Sequence, residues 1–425
     1  MTRWSAPDLQ RATGGMLRVP FHAAGVSIDS RTTRPDDLFV ALVTETGDGH
    51  AHVANALSRG AAGAMVHELP PGVADDAPLL QLRDTLDGLQ DLGRAGRARF
   101  QGRVIAVTGS VGKTTTKEML RTALAAYGRV WAAEASHNNQ WGVPLTLARV
   151  PPAHDFCVVE IGMNHAGEIA PLSRMAAPDV AVVTTISAAH IGHLGSLAAI
   201  RAEKFSIREG LVAGGVLIGP EDVFVPESIT GDADGSEFVV GGQIFRVSAP
   251  GPHMVHNAMA TRAVLLALGL DPFPGMRALS TFTPVGGRGA RKNIRAGDGT
   301  AVLLDESYNA SSASVRAALV VLALQPCDRR VVVLGDMLEL GAHTEAEHVG
   351  LAPDVARADV VFACGEAMRA MFDALPPDRQ GAYAPDSAAL APIVAGAVRA
   401  GDAILVKGSL GSRMKRVVDA LEGVT

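Results

Sequence analysis

The sequence predicts an α/β fold in which helices cover parallel sheets, and three observations lead to this prediction. Apolar runs typical of buried strands lie at 155–161 and 179–186, and helical patterns follow them. A second series of apolar runs alternates with helical patterns from about residue 286 onward. A glycine turn at 109–112 joins an apolar strand directly to a helical pattern. Strands that alternate with helices indicate parallel βαβ units.

The length of 425 residues suits two or three domains at ~150 residues per domain, and the pattern divides the chain into three. Residues 1–83 combine the strands LFVAL and GAMV with an alanine-rich helical stretch, which predicts a small N-terminal α/β domain. Residues 84–285 open with a helix and hold the glycine turn, which predicts a central domain with a P-loop-type parallel sheet.

Residues 286–425 are expected to form a C-terminal Rossmann-like domain with an open, doubly wound sheet. The predicted strands AVLLDES, RRVVVLGD, DVVFAC and DAILVKGS alternate with helices near 312–324, 345–358 and 389–399 and with a final helix. Thr344 and Glu347 have the spacing of a capping box at one helix start. The glycine-rich segment at 283–292 is predicted to be a hinge.

Composition excludes several classes of function. The net charge of -6 offers no surface for a polyanion, so nucleic acid is not expected as a partner. Cys157, Cys327 and Cys364 lack paired metal spacing and the N-terminus has no apolar leader, which indicates a reducing cytoplasm. No apolar run approaches the ~20 residues of a membrane span. We therefore expect a cytoplasmic monomer that does not insert into a membrane.

The run VTGSVGKTTTKEM at 107–119 is the strongest chemical signal. Gly109 and Gly112 allow the backbone to wrap closely around an oligophosphate, and Lys113 places an ammonium against it. The Thr114 hydroxyl is a ligand for Mg2+. A full P-loop has glycine where this chain has Val107, so the match is to the shorter pattern GxxGKT. The motif predicts ATP binding.

Two further polar residues follow predicted strands. Glu160 ends one strand and His190 comes shortly after the next, and the carboxyl ends of parallel strands line the ligand crevice of such a sheet. A carboxylate there could hold Mg2+ against phosphates. His190 and His193 also suggest zinc, but no third ligand pattern accompanies them.

Lysine usage is unusual, because only six of the 38 basic residues are lysine. Lys113 is explained by the phosphate turn. Lys204 lies in a predicted helix where arginine would serve equally well on a surface. A buried lysine can lose its proton and add CO2 to become a carbamate, whereas arginine keeps its charge. Chance retention of lysine remains the alternative at this point.

Several segments together resemble the Mur ligase family across nearly the whole chain. They are TGSVGKTTTKEM, NNQWGVPLTL, VVEIGMNHAGEI, AAHIGHLGSLAAIRAEKFSI, GPHMVHNAMA, GGRG, DESYNASSAS, VLGDMLELG and ILVKGSLGSRM. Related folate ligases share the phosphate loop, the histidine and the lysine. The segments at 308–310 and 335–341 are similar to those of the branch that adds the dipeptide D-Ala-D-Ala.

The resemblance implies an activity in peptidoglycan precursor synthesis, and so in cell wall biogenesis, cell shape and cell division. ATP would activate the terminal carboxylate of UDP-MurNAc-tripeptide as an acyl phosphate, which the amine of D-Ala-D-Ala would attack. The first of two Mg2+ ions would be held by Thr114 and Glu160. The second would be held by His190 and a carbamylated Lys204, with CO2 as the source of the carbamate.

The resemblance also implies a role for each domain, namely UDP-substrate binding for 1–83, ATP binding for 84–285 and a ligase role for 286–425. It implies the remaining site residues as well. Lys113, Glu160, His190 and Lys204 would be the catalytic group. The ATP site would comprise Gly109, Ser110, Val111, Gly112, Lys113, Thr114, Thr115, Asn257, Arg288 and Asp305. The substrate site would comprise Asp29, Ser30, Arg31, Asn138, Asn139, Tyr308, Asn309 and Lys407.

The chain departs from the family pattern at five positions, namely Thr44, Met254, Glu306, Ser311 and Ser312. Contacts to adenine and to the dipeptide at these positions are therefore open. Three other interpretations are also open. The first is another ligase of the superfamily, such as a folylpolyglutamate synthetase or an earlier Mur ligase. The second is a P-loop switch or transport ATPase, and the third is a degenerate binding module.

Overall fold

The computed structural model describes residues 4–45, 47–134 and 136–423. The chain divides into two compact units. The first unit comprises Met1–Thr108, Tyr127–Val182 and Phe205–Leu217, and the second comprises Gly109–Ala126, Val183–Lys204 and Ile218–Thr425. The sequence analysis divided the chain into three consecutive segments, whereas each compact unit combines separate segments of the chain. The predicted domain boundaries at 83 and 285 therefore stay predictions.

The N-terminal part of the first unit is a small α/β sheet. Its elements are α1 (Ala6–Thr13), β1 (Met16–Leu17), β2 (Gly25–Ser27), β3 (Asp37–Val40), β4 (Val43–Thr44), β5 (Gly47–Asp48), α2 (Val53–Ser58), β6 (Gly63–Val66), β7 (Leu79–Gln81) and α3 (Thr85–Arg99). The sheet order is β1-β7-β6-β3-β2, and only the edge strand β1 runs antiparallel to its neighbour. β4 and β5 form a separate hairpin.

The central sheet contains the strands on which the predicted site depends. Its segment of the chain comprises β8 (Arg103–Thr108), α4 (Lys113–Leu124), β9 (Val130–Ala132), α5 (Gly142–Arg149), β10 (Phe156–Glu160), α6 (Ile169–Ala176), β11 (Val180–Val183), α7 (Ile191–Leu194), α8 (Leu197–Phe205) and β12 (Val216–Ile218). The order is β12-β11-β8-β10-β9, and β10 runs parallel to both β8 and β9. The predicted strands at 155–161 and 179–186 are confirmed.

A small antiparallel sheet follows, which the sequence analysis did not predict. It consists of β13 (Ser228–Gly231), β14 (Ser236–Val240) and β15 (Gln243–Val247), before α9 (Pro252–Ala267) and α10 (Pro272–Ala278). All four residues of β13 are exposed, so this strand has little of the apolar pattern on which sequence prediction depends.

The C-terminal sheet has six strands. Its elements are β16 (Ala290–Ala296), β17 (Gly299–Glu306), α11 (Ser312–Ala323), β18 (Arg329–Gly335), α12 (Thr344–Val349), α13 (Ala352–Val355), β19 (Val360–Cys364), α14 (Met368–Asp373), β20 (Gln380–Ala384), α15 (Ser387–Ala397), β21 (Asp402–Lys407) and α16 (Lys415–Glu422). The order is β16-β17-β21-β18-β19-β20, with only β16 antiparallel. The predicted α/β class with parallel sheets is confirmed.

Two local predictions in this region are wrong. The single helix expected at 345–358 is two short helices, because Gly350 and Pro353 interrupt it. The Thr344 and Glu347 capping box does not form, since the Thr344 hydroxyl donates to the Gly341 carbonyl at 2.7 Å and the Glu347 carboxylate accepts from Ser312 instead.

Across the described residues 4–45, 47–134 and 136–423, no helix combines the length and the apolar content that crossing a bilayer requires.

Within the first unit, α3 packs closely on α5 because two glycines lie on the contact face. A Cβ added at Gly93 would lie 2.8 Å from the Pro144 Cα, and one at Gly96 would lie 2.2 Å from the Leu147 carbonyl oxygen. Glycine in a helix costs about 0.5–1 kcal/mol relative to alanine, and the close approach of the two helices offsets that cost.

We predict that Gly96→Ala destabilises the protein although alanine is the better helix former. Overpacking costs about 1–3 kcal/mol, which exceeds the gain in helix propensity. The matched control is Gly396→Ala in α15, where an added Cβ meets no atom within 4 Å. Differential scanning calorimetry should show a lower melting temperature for Gly96→Ala only, and equal melting temperatures would contradict this account of the packing.

Candidate active site

The phosphate turn has the geometry that its glycines predict. The turn leaves β8 at Thr108, and α4 begins at Lys113 after Gly112, which has a left-handed φ of 88°. A Cβ at Gly109 would lie 2.0 Å from the Thr184 Oγ1, and one at Gly112 would lie 2.7 Å from the Asn257 Oδ1. Both positions therefore require glycine, and Asn257 packs directly against the turn.

The segment after β11 holds the turn in shape. The Ser110 amide donates to the Thr185 carbonyl at 2.7 Å, and its hydroxyl donates to the Ser187 carbonyl at 3.1 Å. The Thr184 hydroxyl donates to the Val111 carbonyl at 2.6 Å. These bonds are made by side chains and backbone groups within the second unit. They hold the loop in this conformation.

The start of α4 presents the chemistry of a phosphate site. The half-buried Lys113 donates from its Nζ to the Gly109 carbonyl at 2.8 Å, so the ammonium folds back over the turn. Thr114 is buried and Thr115 is partly buried beside it. The first amides of a helix have no carbonyl partner within the helix, and together with the helix dipole they bind anions.

Glu160 is placed at the carboxyl end of β10, in register with Val107 of β8. Its side chain is fully buried, and the Asn138 Nδ2 donates to its Oε1 at 2.8 Å. Gly162 lies so close that a Cβ there would be 2.7 Å from the Asn138 Oδ1. Asn138 therefore orients the glutamate.

Asn139 has a different role from its neighbour. Its Oδ1 accepts from the Gly142 amide at 3.0 Å and from the Trp141 amide at 3.3 Å, at the start of α5. Asn139 therefore stabilises the start of α5.

Asp29, Ser30 and Arg31 lie in a turn directly after β2. The Arg31 guanidinium makes two short bonds to the Asp29 carboxylate, of 3.0 Å from Nε to Oδ1 and 2.7 Å from Nη2 to Oδ2. This hydrogen bonding holds the pKa of Asp29 below its ordinary value. Ser30 is buried, whereas the Arg31 side chain is largely exposed.

Arg288, Asp305 and Tyr308 form one cluster in the second unit. The Arg288 guanidinium lies 4.2 Å from the centroid of the Tyr308 ring. The buried Asp305 accepts from the Gly287 amide at 3.1 Å and from the Ser307 hydroxyl at 2.6 Å. The cluster therefore contains two residues predicted to bind ATP, Arg288 and Asp305, and one predicted to bind the substrate, Tyr308.

Lys407 is buried at the end of β21 and is only 2% exposed. Its ammonium donates to the Glu306 carboxylate at 3.2 Å and to the Asn309 carbonyl at 2.9 Å. Glu306 is one of the departures from the family pattern, and it provides the charge partner of this lysine. The nearby His253 has its pKa lowered, mainly by burial.

The other departures have local structural roles. Met254 is in the core, with its Cε 3.4 Å from a Cβ placed on Gly289. Ser311 is the N-cap of α11, and Ser312 donates to Glu347. The Thr44 hydroxyl donates to the Gly47 carbonyl at 3.1 Å within the β4–β5 hairpin.

His190 and Lys204 lie at the two ends of the segment that carries α7 and α8. His190 precedes α7 and has a left-handed φ of 65°, and its Nδ1 pairs with the Glu339 carboxylate. Lys204 is fully buried in α8. Among the described residues, no group of three or more histidine, cysteine, aspartate or glutamate side chains is arranged to hold a metal ion, so the zinc reading gains no support.

Sequence reasoning did not assign a role to Glu339. The signal was present, because Glu339 is one of the two acidic residues of the segment GDMLELG at 335–341. The motif was interpreted only as a sign of the dipeptide-adding branch, and no sequence pattern links it to His190, which lies about 150 residues earlier.

Comparison with known proteins finds two family models that match this chain. The model of the Mur ligase middle domain matches residues 107–225, and the model of the Mur ligase glutamate ligase domain matches residues 290–410. The first match contains the phosphate turn, Glu160, His190 and Lys204, and the second contains Asp305, Tyr308 and Lys407.

Curated relatives match nearly the full chain. The UDP-N-acetylmuramoyl-tripeptide–D-alanyl-D-alanine ligases of Bacillus subtilis and Escherichia coli are 32% and 34% identical to it, and each match covers 93% of both chains. A crystal structure of MurF from Acinetobacter baumannii aligns with a TM-score of 0.85 and 28% identity over 100% of this chain and 99% of that one. MurF from Thermotoga maritima, solved with ADP, shares the fold with a TM-score of 0.76 and 24% identity over 94% of this chain and 97% of that one. The chain therefore belongs to the Mur ligase family, and the relatives that it matches over 93% of its length are D-alanyl-D-alanine-adding members of that family.

Proposed function

We propose that this protein joins D-Ala-D-Ala to UDP-MurNAc-tripeptide at the expense of ATP, in the synthesis of the peptidoglycan precursor. The reaction uses two soluble nucleotides, so we place it in the cytoplasm. The observation that carries the proposal is the preformed phosphate turn with Lys113 at the start of α4. It lies in a chain that resembles D-Ala-D-Ala-adding ligases over 93% of its length.

The proposed chemistry has two steps. An oxygen of the terminal tripeptide carboxylate attacks the γ-phosphorus of ATP, and the bond to the β,γ-bridging oxygen breaks with release of ADP. The neutral amine of D-Ala-D-Ala then attacks the acyl carbon of the acyl phosphate. Loss of inorganic phosphate and of one amine proton leaves the new amide. An enzyme accelerates such a phosphoryl transfer mainly by positioning the reactants and neutralising their charge, so no covalent bond to the enzyme is needed.

Lys113 and the α4 amides are suited to the ATP phosphates. The ammonium and the aligned N–H groups offer fixed positive charge where negative charge accumulates during phosphoryl transfer. We assign Ser110, Val111, Thr115 and Asn257 to the same ligand, together with Arg288 and Asp305. Asp29, Ser30, Arg31, Tyr308, Asn309, Asn138, Asn139 and Lys407 are proposed for the UDP-peptide and dipeptide.

The donor set fits magnesium. Thr114 supplies a buried hydroxyl, and Glu160 supplies a buried carboxylate whose orientation Asn138 fixes. Oxygen ligands of this kind are those that Mg2+ prefers. We propose both as ligands of a first Mg2+, which when bound would neutralise charge between the two reacting anions.

His190 and Lys204 are proposed for a second Mg2+. A fully buried ammonium would repel a cation, whereas its carbamate would be an anionic oxygen ligand. The neutral amine of Lys204 would attack the carbon of CO2 and lose one proton, which converts the residue to that form.

We predict that Lys113→Met lowers kcat/KM by about 10²–10³-fold, because a fixed charge beside the transferred phosphate is lost. Lys292→Met is the control, since Lys292 pairs with Glu422 on α16 outside the proposed site. Steady-state ADP release checks the result. Equal activity of both variants would remove Lys113 from the reaction.

The amine donor is predicted to be the dipeptide. With UDP-MurNAc-tripeptide and ATP, kcat/KM for D-Ala should be about 10²-fold or more below that for D-Ala-D-Ala, since a site built for the second residue loses its contacts. Phosphate release and product mass are measured together. Release of phosphate without either substrate would indicate a switch or transport ATPase, and a preference for D-glutamate or a diamino acid would indicate another Mur branch.

Lys204→Ala is predicted to lose about 10²-fold or more in kcat, with partial recovery in short-chain carboxylates that replace the carbamate. Lys204→Arg should not recover, because its charge is permanent. After growth in ¹³C-bicarbonate, a carbamate carbon resonance should be present in the parent protein and absent in Lys204→Ala. A fully active, unsupplemented Lys204→Ala variant would refute the carbamate.

A further inference from the structure

The segment at 335–341 contacts the segment at 190–192 through both side chain and backbone. The His190 Nδ1 pairs with the Glu339 carboxylate, and the Gly192 amide donates to the Glu339 carbonyl at 3.0 Å. All of these residues belong to the second unit. One residue, Glu339, therefore makes both the charged contact and the backbone contact.

The backbone on both sides is adapted to this contact. His190 and Glu339 have left-handed φ values of 65° and 67°, a region that non-glycine residues seldom adopt. A Cβ at Gly192 would lie 2.6 Å from the Gly341 amide nitrogen and 2.8 Å from the Glu339 carbonyl oxygen. Only glycine permits so close an approach. Unfavourable backbone conformations persist only where contacts with the surrounding structure enforce them, and such positions cluster at functional sites.

The other end of the segment is anchored to two helices, α12 and α14, and to the loop that follows β21. The Met337 amide donates to the Nε2 of the buried His348 at 3.0 Å, and the Leu338 amide donates to the Ser409 hydroxyl at 3.0 Å. The Asp336 Oδ1 accepts from the Met368 amide at 2.8 Å. Residues 336–338 are thus held by three separate elements, and Glu339 follows them directly.

We propose that Glu339 is a positioning residue for His190, and that the segment 335–341 acts in the reaction by setting the orientation of that imidazole. The inference rests on the proposed function, in which His190 is a metal ligand. The Glu339 carboxylate lies against Nδ1, where it would favour the tautomer with its proton on that nitrogen and limit rotation of the ring, and Nε2 would then be the nitrogen available to a metal. A carboxylate partner of this kind also makes the imidazole a stronger ligand.

The assignment differs from a direct role in binding the dipeptide. A residue that contacts the amine substrate would change the KM for D-Ala-D-Ala. A residue that acts through His190 would change metal binding and kcat and leave the dipeptide KM unaltered. The two roles therefore separate in measurements on the same variant.

The test uses the full chain with Mn2+ as the probe, measured by electron paramagnetic resonance in the presence of a non-hydrolysable ATP analogue. Glu339→Gln should weaken binding of one Mn2+ by about tenfold or more, in the range seen for loss of an outer-sphere partner. Gly192→Ala should do the same by separating the segments. The exposed Glu345→Gln and the uncrowded Gly396→Ala are matched controls that should bind Mn2+ as the parent does.

A double-mutant cycle separates positioning from general stability. In a His190→Asn background, Glu339→Gln should cause no further loss of Mn2+ binding, because its effect passes through the imidazole. An additive loss would overturn the inference, as would normal Mn2+ binding by Glu339→Gln or a raised dipeptide KM without a change in Mn2+ binding. Absence of ligase activity in the parent chain would refute the proposed function, and the Mn2+ comparison would still decide the role of Glu339.

Discussion

The close approach between the phosphate turn and the segment after β11 is the constraint on which the site depends. Gly109 comes within van der Waals contact of Thr184, and hydrogen bonds from Ser110 and Thr184 close the turn against residues 184–187. The same segment continues to His190 and then to Lys204 in α8. The shape of the turn and the start of the segment that carries His190 are therefore fixed by one set of contacts. A side chain at Gly109 would displace Thr184 and with it that segment, and a side chain at Gly112 would displace Asn257.

The few lysines of this chain are buried more often than is usual for lysine. Lys117 and Lys204 are fully buried and Lys407 is 2% exposed, so half of the six lysines are inside the protein. Removal of an ammonium from water costs several kcal/mol unless partners compensate. Lys407 has the Glu306 carboxylate and the Asn309 carbonyl, and Lys117 lies 3.1 Å from a Glu118 carboxylate oxygen. Chance retention would leave lysines mainly on the surface, where long cationic side chains are hydrated. Their burial favours selection for a compact amine that arginine cannot replace.

Sequence reasoning recovered the features that depend on local pattern. The phosphate turn and the parallel strands at 155–161 and 179–186 follow from glycine spacing and from apolar runs, and both are short-range signals. The antiparallel sheet of β13–β15 was missed because its strands are partly exposed and lack the continuous buried apolar runs of β10 and β11. The capping box at Thr344 failed because a tertiary partner, Ser312, took the glutamate. The contact between His190 and Glu339 could not be derived at all, since it joins residues far apart in the chain whose approach depends on Gly192 and Gly341.

Two departures from the family pattern, Glu306 and Met254, have contacts that the structure explains. Glu306 reaches Lys407 from the end of β17. Met254 lies beside Gly289, close to the same glutamate. A Cβ added at Gly289 would lie 3.4 Å from the Met254 Cε and 3.3 Å from the Glu306 Oε1. The two departures thus border one glycine. The buried ammonium of Lys407 is stabilised there because Glu306 completes its ion pair. Since Glu306 and Met254 are engaged in these contacts, we expect the ligand contacts proposed for this region to be made by Arg288, Asp305 and Tyr308.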